Sequence, residues 1–176
     1  MLPRPGASGL IRVKTGAPRA PRVMTMTKPF RHILVATDGS RLSQRAVKTA
    51  IALARMAKAR ITALHVVAEY MPPVYLDALI AMPETESALY KRSTEAYAEE
   101  LLAKIAKEAR AAGVACHKVH VVHETPWRAI IRTAKSRRCD LIVMASHGRR
   151  GMEALLLGSE TTKVLAHSKT PVLVCR

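Results

Sequence analysis

The chain has 176 residues, enough for one ordinary domain and a short appendage, and its 49% apolar content is Ala, Val, Leu and Ile with only 3% aromatics. That mixture suits β-strands packed under Ala-rich helices. The formal charge of +16 raises nucleic-acid binding, but five of those charges (Arg4, Arg12, Lys14, Arg19 and Arg22) precede Met26 with no acid among them. The other cations read as scattered over helices beside Glu, without the interleaved aromatics that stack bases, so nucleic acid is not the expected partner. Cys116, Cys139 and Cys175 are odd in number and widely spaced, which excludes a disulfide framework or a CxxC metal pair. No apolar run approaches the roughly 18–20 residues of a membrane-spanning helix, and a reducing cytoplasm is the expected setting.

In chain order, residues 1–29 are rich in Pro, Gly and Arg without apolar periodicity, and disorder is expected there. An acid-free, Arg-bearing leader suits a transit peptide; the alternative is a start assigned too early, since Met24 and Met26 stand just before the ordered pattern. The domain is expected over residues 30–176. His32 to Thr37 (HILVAT) is a buried-type strand closed by Asp38-Gly39-Ser40. A helix follows from about Ser43 to Lys58, with Ala46, Ala50, Leu53 and Ala57 at three-to-four spacing. Ile61 to Val67 is a second strand, and the stretch around 69–85, with Pro72, Pro73 and Pro83, is expected to be an irregular excursion.

A long amphipathic helix is expected from about Glu86 to Ala112, stopped at Gly113, and then a strand from Val114 to Val122. Thr125-Pro126 reads as an N-cap and first helical residue, opening a helix over Trp127 to Arg137. Leu141 to Ala145 (LIVMA) is the most continuous apolar strand, a helix runs from about Ser159 to Ala166, and Pro171 to Cys175 (PVLVC) closes the chain. Five strands alternating with four helices, with runs such as LIVMA that show no polar alternation to mark a wet face, predict a doubly wound α/β fold: a mostly parallel five-stranded sheet carrying helices on both faces.

In such sheets ligands bind beyond the carboxyl ends of the strands, where the strand order reverses. Two loops attract attention. Asp38 follows the first strand, where it either meets a ligand or merely caps the next helix. After LIVM come Ala145-Ser146-His147-Gly148, nine further residues, then Gly158-Ser159 at the start of the last helix. Glycines there let backbone amides approach an anion, and the helix start adds partial positive charge, so the loop reads as a phosphate cradle with a hydroxyl from Ser159. Arg149 and Arg150 either supply charge at its mouth or form a solvated basic face.

From about Phe30 to Arg176 the chain resembles a universal stress protein domain, through HILVATDGS, ITALHVV and DLIVMASHGRRGMEALLLGSETTKVLAHSKTPVLVCR. That family's ATP signature is Gly, two residues, Gly, nine residues, then Gly and Ser or Thr. Its later elements fall on Gly148, Gly158 and Ser159, while Ala145 replaces the first glycine and brings a Cβ toward the ribose or phosphates. The resemblance implies an adenine nucleotide alpha hydrolase-like sheet of order 3-2-1-4-5. It implies ATP, accompanied by Mg2+, with Asp38 on the nucleoside, Ala36 and Val66 lining the adenine, and Gly148, Gly158 and Ser159 on the phosphates. A homodimer through the strand Pro171 to Cys175 is also implied, which would cover an apolar edge.

His147 lies in the nucleotide loop, where it shapes the loop or touches ribose. His65, His117, His120 and His123 sit on or beside strands without zinc spacing and read as structural or surface residues. Trp127 is expected to pack against the sheet and Cys139 to be an ordinary buried thiol. Three functions stay open: an ATP-binding stress or regulatory module that signals to a protein partner, a slow ATPase or phosphotransferase, and a nucleotide-free dimeric interaction protein.

Overall fold

The apolar runs HILVA and LIVMA, buried along their whole length, lie at the centre of the sheet, while the edge strand CHKVHVV turns His117, Lys118 and His120 to water. The structure, a computed structural model, describes residues 30–67, 84–148 and 157–176, with only the helical backbone over 84–87. The expectations for the leader, for the excursion around 69–85 up to residue 83, and for Arg149 and Arg150 lie outside the described residues. The elements are β1 (His32–Ala36), α1 (Arg41–Ala57), β2 (Arg60–Val67), α2 (Glu84–Ala111), β3 (Cys116–Val122), α3 (Pro126–Ser136), β4 (Leu141–Ala145), α4 (Ser159–His167) and β5 (Val172–Cys175). The sheet order is β3-β2-β1-β4-β5, and every neighbouring pair is parallel.

Strand alternation sends side chains to two cores. Ile33, Val35, Ile61, Ala63, Leu141 and Val143 meet Ala46, Val47, Ala50 and Ala54 of α1 and Leu102, Ile105 and Ala109 of α2. Leu34, Ala36, Leu64, Ile142 and Met144 meet Ile130 and Ala134 of α3 and Val164 of α4. The alanines facing the sheet let helix and sheet backbones approach closely, which is why an aromatic-poor chain still fills its interior.

The helix ends depart instructively from local rules. Ser40 caps α1, its Oγ accepting from the Ser43 amide at 3.2 Å. Its other end turns on Lys58 in the left-handed region at φ 52°, a conformation that costs a non-glycine residue roughly 1–2 kcal/mol. The Ala59 amide, donating to Ala54 O at 2.8 Å, closes that turn. Gly113, at φ +74°, ends the α2 segment as expected. Thr125 occupies the N-cap position of α3 with Pro126 behind it, but its side chain makes no capping bond. Instead Glu160 of α4 accepts from the Trp127 amide at 2.8 Å. The expectation that the cations sit beside Glu fails on α1 and α3, neither of which contains an acidic residue.

At the amino edge of the sheet Asp140 accepts from the amides of Arg31 at 2.8 Å and His32 at 3.1 Å, pinning the start of β1 to that of β4. His32 is buried, its Nε2 lies 2.8 Å from Thr62 Oγ1, and its Nδ1 has no hydrogen-bond partner among the described residues. Burial, and then the nearby Arg60 charge, hold the His32 imidazole below its ordinary value of 6.5. Burial, followed by the Asp140 carboxylate, pushes the adjacent Cys139 thiol up to about 11, so it stays un-ionised and behaves as a small core group.

His32 therefore folds as the neutral imidazole. Its contribution is fully present above the unfolded value near 6.5, is lost as pH falls from there through the lowered folded value, and levels off below that. Urea denaturation at pH 8 and pH 5.5 should show wild-type stability falling more than that of His32→Gln, which keeps a polar group near Thr62 without an ionisable ring. Parallel losses in the two proteins would place the acid sensitivity elsewhere.

Candidate functional site

β1 is the point where the strand order reverses, because it is hydrogen-bonded to β2 on one side and β4 on the other. The crossover after β1, through α1, and the crossover after β4, through α4, leave on opposite faces of the sheet, so the loops after β1 and β4 open a crevice at the carboxyl edge. The first wall is built from Thr37. Its amide donates to Leu64 O at 2.9 Å, and its carbonyl accepts from His65 Nδ1 at 2.8 Å. Its hydroxyl lies 2.9 Å from Ser43 Oγ and accepts from the Gly39 amide at 3.1 Å. Gly39 takes φ +80°, which turns the chain sharply into α1.

Asp38 sits at the head of that turn, and its Oδ1 accepts from the Ser40 amide at 3.0 Å. The helix cap is Ser40, so Asp38 is not needed for that task. Its other carboxylate oxygen reaches across to the second wall. A Cβ added to Gly148 would lie 2.8 Å from Asp38 Oδ2, closer than real Cβ contacts come.

The second wall is tied down by backbone. The Ser146 amide donates to Cys175 O at 2.7 Å, and the Ser146 carbonyl accepts from the Gly158 amide at 2.8 Å. Thr161 Oγ1 donates to Ala145 O at 2.9 Å. Gly158 has an ordinary extended conformation, φ −70° and ψ 156°, so glycine is favoured there by space and not by backbone angle. A Cβ would lie 3.1 Å from Ser146 O and 3.4 Å from His147 Cα. Behind Gly158 the amides of Ser159, Glu160 and Thr161 have no intrahelical acceptor, and Gly158 has no side chain with which to cap them. His147 Nδ1 lies 3.1 Å from Ser146 Oγ, while its Nε2 is buried with no partner among the described residues.

The fold thus brings Asp38 to Gly148 and folds His147 onto Gly158, with Ser159 exposed as the first residue of α4. Ala36 and Val66 end their strands on the α3–α4 side of the sheet. Ala145 is on the opposite side: its methyl packs with Val35 and Val143 in the α1–α2 core. His65, read from the sequence as structural or surface, is buried and braces the first wall through Thr37; of the residues passed over, Thr37 carries that wall, and Thr161 and Glu160 anchor the second. Glu160 was concealed because its partner, the amide of Trp127, is 33 residues away. Trp127 does pack onto the α3–α4 core, and its indole also stacks on His167 of α4, with ring centroids 4.7 Å apart.

The sequence profile of the Universal stress protein family matches residues 29–176. A universal stress protein of Methanocaldococcus jannaschii is 33% identical over 147 residues, covering 84% of this chain and 82% of that protein. Among solved structures, the universal stress protein UspA from Lactobacillus plantarum superposes with TM-score 0.69 at 25% identity, over 83% of this chain and 97% of that one. A universal stress protein in complex with cAMP superposes with TM-score 0.61 at 28% identity, over 84% and 98%.

Because Glu160 holds the first turn of α4 against the start of α3, removing its carboxylate leaves α3 uncapped. Glu160→Ala should cost about 1 kcal/mol in urea denaturation, the usual worth of a lost cap. Glu160→Gln, which keeps an acceptor, should cost less; equal losses would show that the charge rather than the hydrogen bond matters.

Proposed function

This chain belongs to the universal stress protein family, and from that membership we propose that it binds an adenine nucleotide, ATP with Mg2+, in the crevice between the loops after β1 and β4. The observation that carries the reading is the pair of positions where a Cβ would crowd its neighbours, Gly148 against the Asp38 carboxylate and Gly158 against the Ser146–His147 backbone. They line an uncapped helix start and a buried imidazole nitrogen, His147 Nε2, without a partner among the described residues. Backbone amides, helix dipole and a spare imidazole nitrogen make a seat for phosphate oxygens.

Asp38 accepts from the ribose hydroxyls, and Ala36 and Val66 line the adenine. Gly148, Gly158, Ser159 and His147 would hold the phosphates, and Mg2+ would supply charge neutralisation there. Ala145 does not obstruct this seat, because its methyl is buried among Val35 and Val143 on the α1–α2 side; its contribution is its backbone, held through Thr161. The related protein solved with cAMP supports an adenine ligand.

ATP occupancy acts as a switch in a homodimeric, cytoplasmic stress-response module that signals to a protein partner. β5 pairs with β4 and presents a half-buried apolar outer edge. A second copy of the same strand would cover that edge.

Calorimetric titration of the full chain with ATP and Mg2+, alongside the nucleotide content of freshly purified protein, tests this reading. Micromolar affinity is expected, with a change in the emission of Trp127, the single tryptophan, which stacks on α4. Gly158→Val should abolish binding with the circular dichroism unchanged. Gly148→Ala should weaken it by roughly tenfold or more, about 1.4 kcal/mol, because Asp38 must move aside. No heat at millimolar ATP, or undiminished affinity in Gly158→Val, would remove the nucleotide from the account.

A further inference from the structure

The solvent face of α1 is unlike that of an ordinary surface helix. Arg41, Arg45, Lys48 and Arg55 are all exposed, and their spacing of four, three and seven residues places them in one line along the helix. The buried residues Ser43, Ala46, Val47, Ala50, Ile51 and Ala54 occupy the opposite side, so the cations point directly away from the core. The line is about 21 Å long at 1.5 Å per residue. α1 holds no acidic residue, and among the described residues the ion pairs are Lys118–Glu99 and Lys163–Glu160, neither on this face. Glu108 of α2 lines the trough beside Lys48 and Arg55, where Lys104 and Lys107 precede it on its own helix.

Stability does not account for this arrangement. Like charges at i,i+3 and i,i+4 repel, and Arg41 stands at the first helical position, where the macrodipole disfavours a cation. α3 carries a shorter basic line, Arg128, Arg132 and Lys135, but there Arg128 lies over the Trp127 ring and Glu160 sits at the helix start. α1 has no aromatic ring under its cations, and the acids beside it, Asp38 at the helix start and Glu108 of α2, are fewer than its four exposed cations.

We propose that the outer face of α1 is a docking surface for the sugar–phosphate backbone of double-stranded nucleic acid. A duplex presents one charge per about 1.7 Å of axis, so the line meets a comparable length of closely spaced phosphates and releases counterions on contact. Single strands are a poorer fit because α1 exposes no aromatic residue on which bases stack. A membrane surface is a poorer fit because the apolar side of α1 is already buried in the domain, leaving Met56 as its exposed large apolar residue. Contact is therefore to the backbone and not to base edges. This proposal departs from the expectation that nucleic acid is not a partner, which rested on cations lying beside Glu and on the lack of interleaved aromatics. It is independent of the nucleotide crevice.

Fluorescence anisotropy of the full chain with a labelled 20-base-pair DNA duplex between 50 and 200 mM NaCl tests the surface. Two variants of equal charge change are compared: Arg45→Gln/Lys48→Gln/Arg55→Gln on α1, and Arg128→Gln/Arg132→Gln/Lys135→Gln on the other side of the sheet. The α1 variant should lose at least tenfold in affinity at 50 mM salt, and the slope of log K against log salt should shrink by about 2.7, or 0.9 per lost phosphate contact. The α3 variant should keep both within about threefold. Circular dichroism confirms that both variants are folded. Equal losses in the two would reduce the effect to net charge and overturn the proposal, as would an absence of duplex binding by the wild type. Capture by phosphatidylserine vesicles through the α1 cations, without duplex binding, would also overturn it in favour of a membrane surface.

Discussion

The carboxylate of Asp38 and the bare Cα of Gly148 share one small space, and they meet there because β1 is hydrogen-bonded to both β2 and β4. That double pairing is the constraint from which the rest follows. It makes β1 the strand at which crossovers change face, so the chain leaving β1 and the chain leaving β4 diverge and leave a crevice between them. Each wall is then locked separately. Thr37 is held through its amide, carbonyl and hydroxyl, and Ser146 is held between β5 and the start of α4. The two glycines are consequences of this closeness, one facing a side chain and the other a backbone.

Burial on both faces of the sheet explains why such a rigid crevice can be built from small residues. The strands contribute fully buried Ile33, Leu34, Val35, Ile142 and Val143, and the helices meet them largely through alanine. Little side-chain entropy is lost in ordering these contacts, and close backbone approach retains dispersion along the whole interface. Polar groups are confined to the two edges. At the amino edge Asp140, His32 and Thr62 tie three strands together, which gives the fold an acid-sensitive point far from the ligand crevice. At the carboxyl edge polar groups and backbone amides stay available for a ligand.

The surface has its own logic. A basic chain of this size has many ways to distribute its charge, and α1 and α3 each gather cations on the side opposite the core with no acid of their own. On α3 a tryptophan face and the carboxylate of Glu160 offset part of that charge. On α1 the neighbouring acids are Asp38 at the helix start and Glu108 of α2, against four cations in one exposed line.

Much of this protein was legible before any contact was known. The strand HILVA, the strand LIVMA and the glycine stop after α2 follow from apolar continuity and local backbone rules, and those local rules also located Asp38, Gly148 and Gly158 in loops after strands. What the sequence leaves open is every property set by a partner distant along the chain. Thr125 satisfies every local rule for a cap, yet Glu160 supplies the bond. Ala145 reads as an obstruction until the strand's pleat turns its methyl into the α1–α2 core. Asp38 reads as a cap until Ser40 is found in that role. Hydrophobic period and turn chemistry are written locally, so the sequence by itself determined the elements and their class. The direction of a side chain and the identity of its partner depend on which strands become neighbours, and that only the tertiary structure decided.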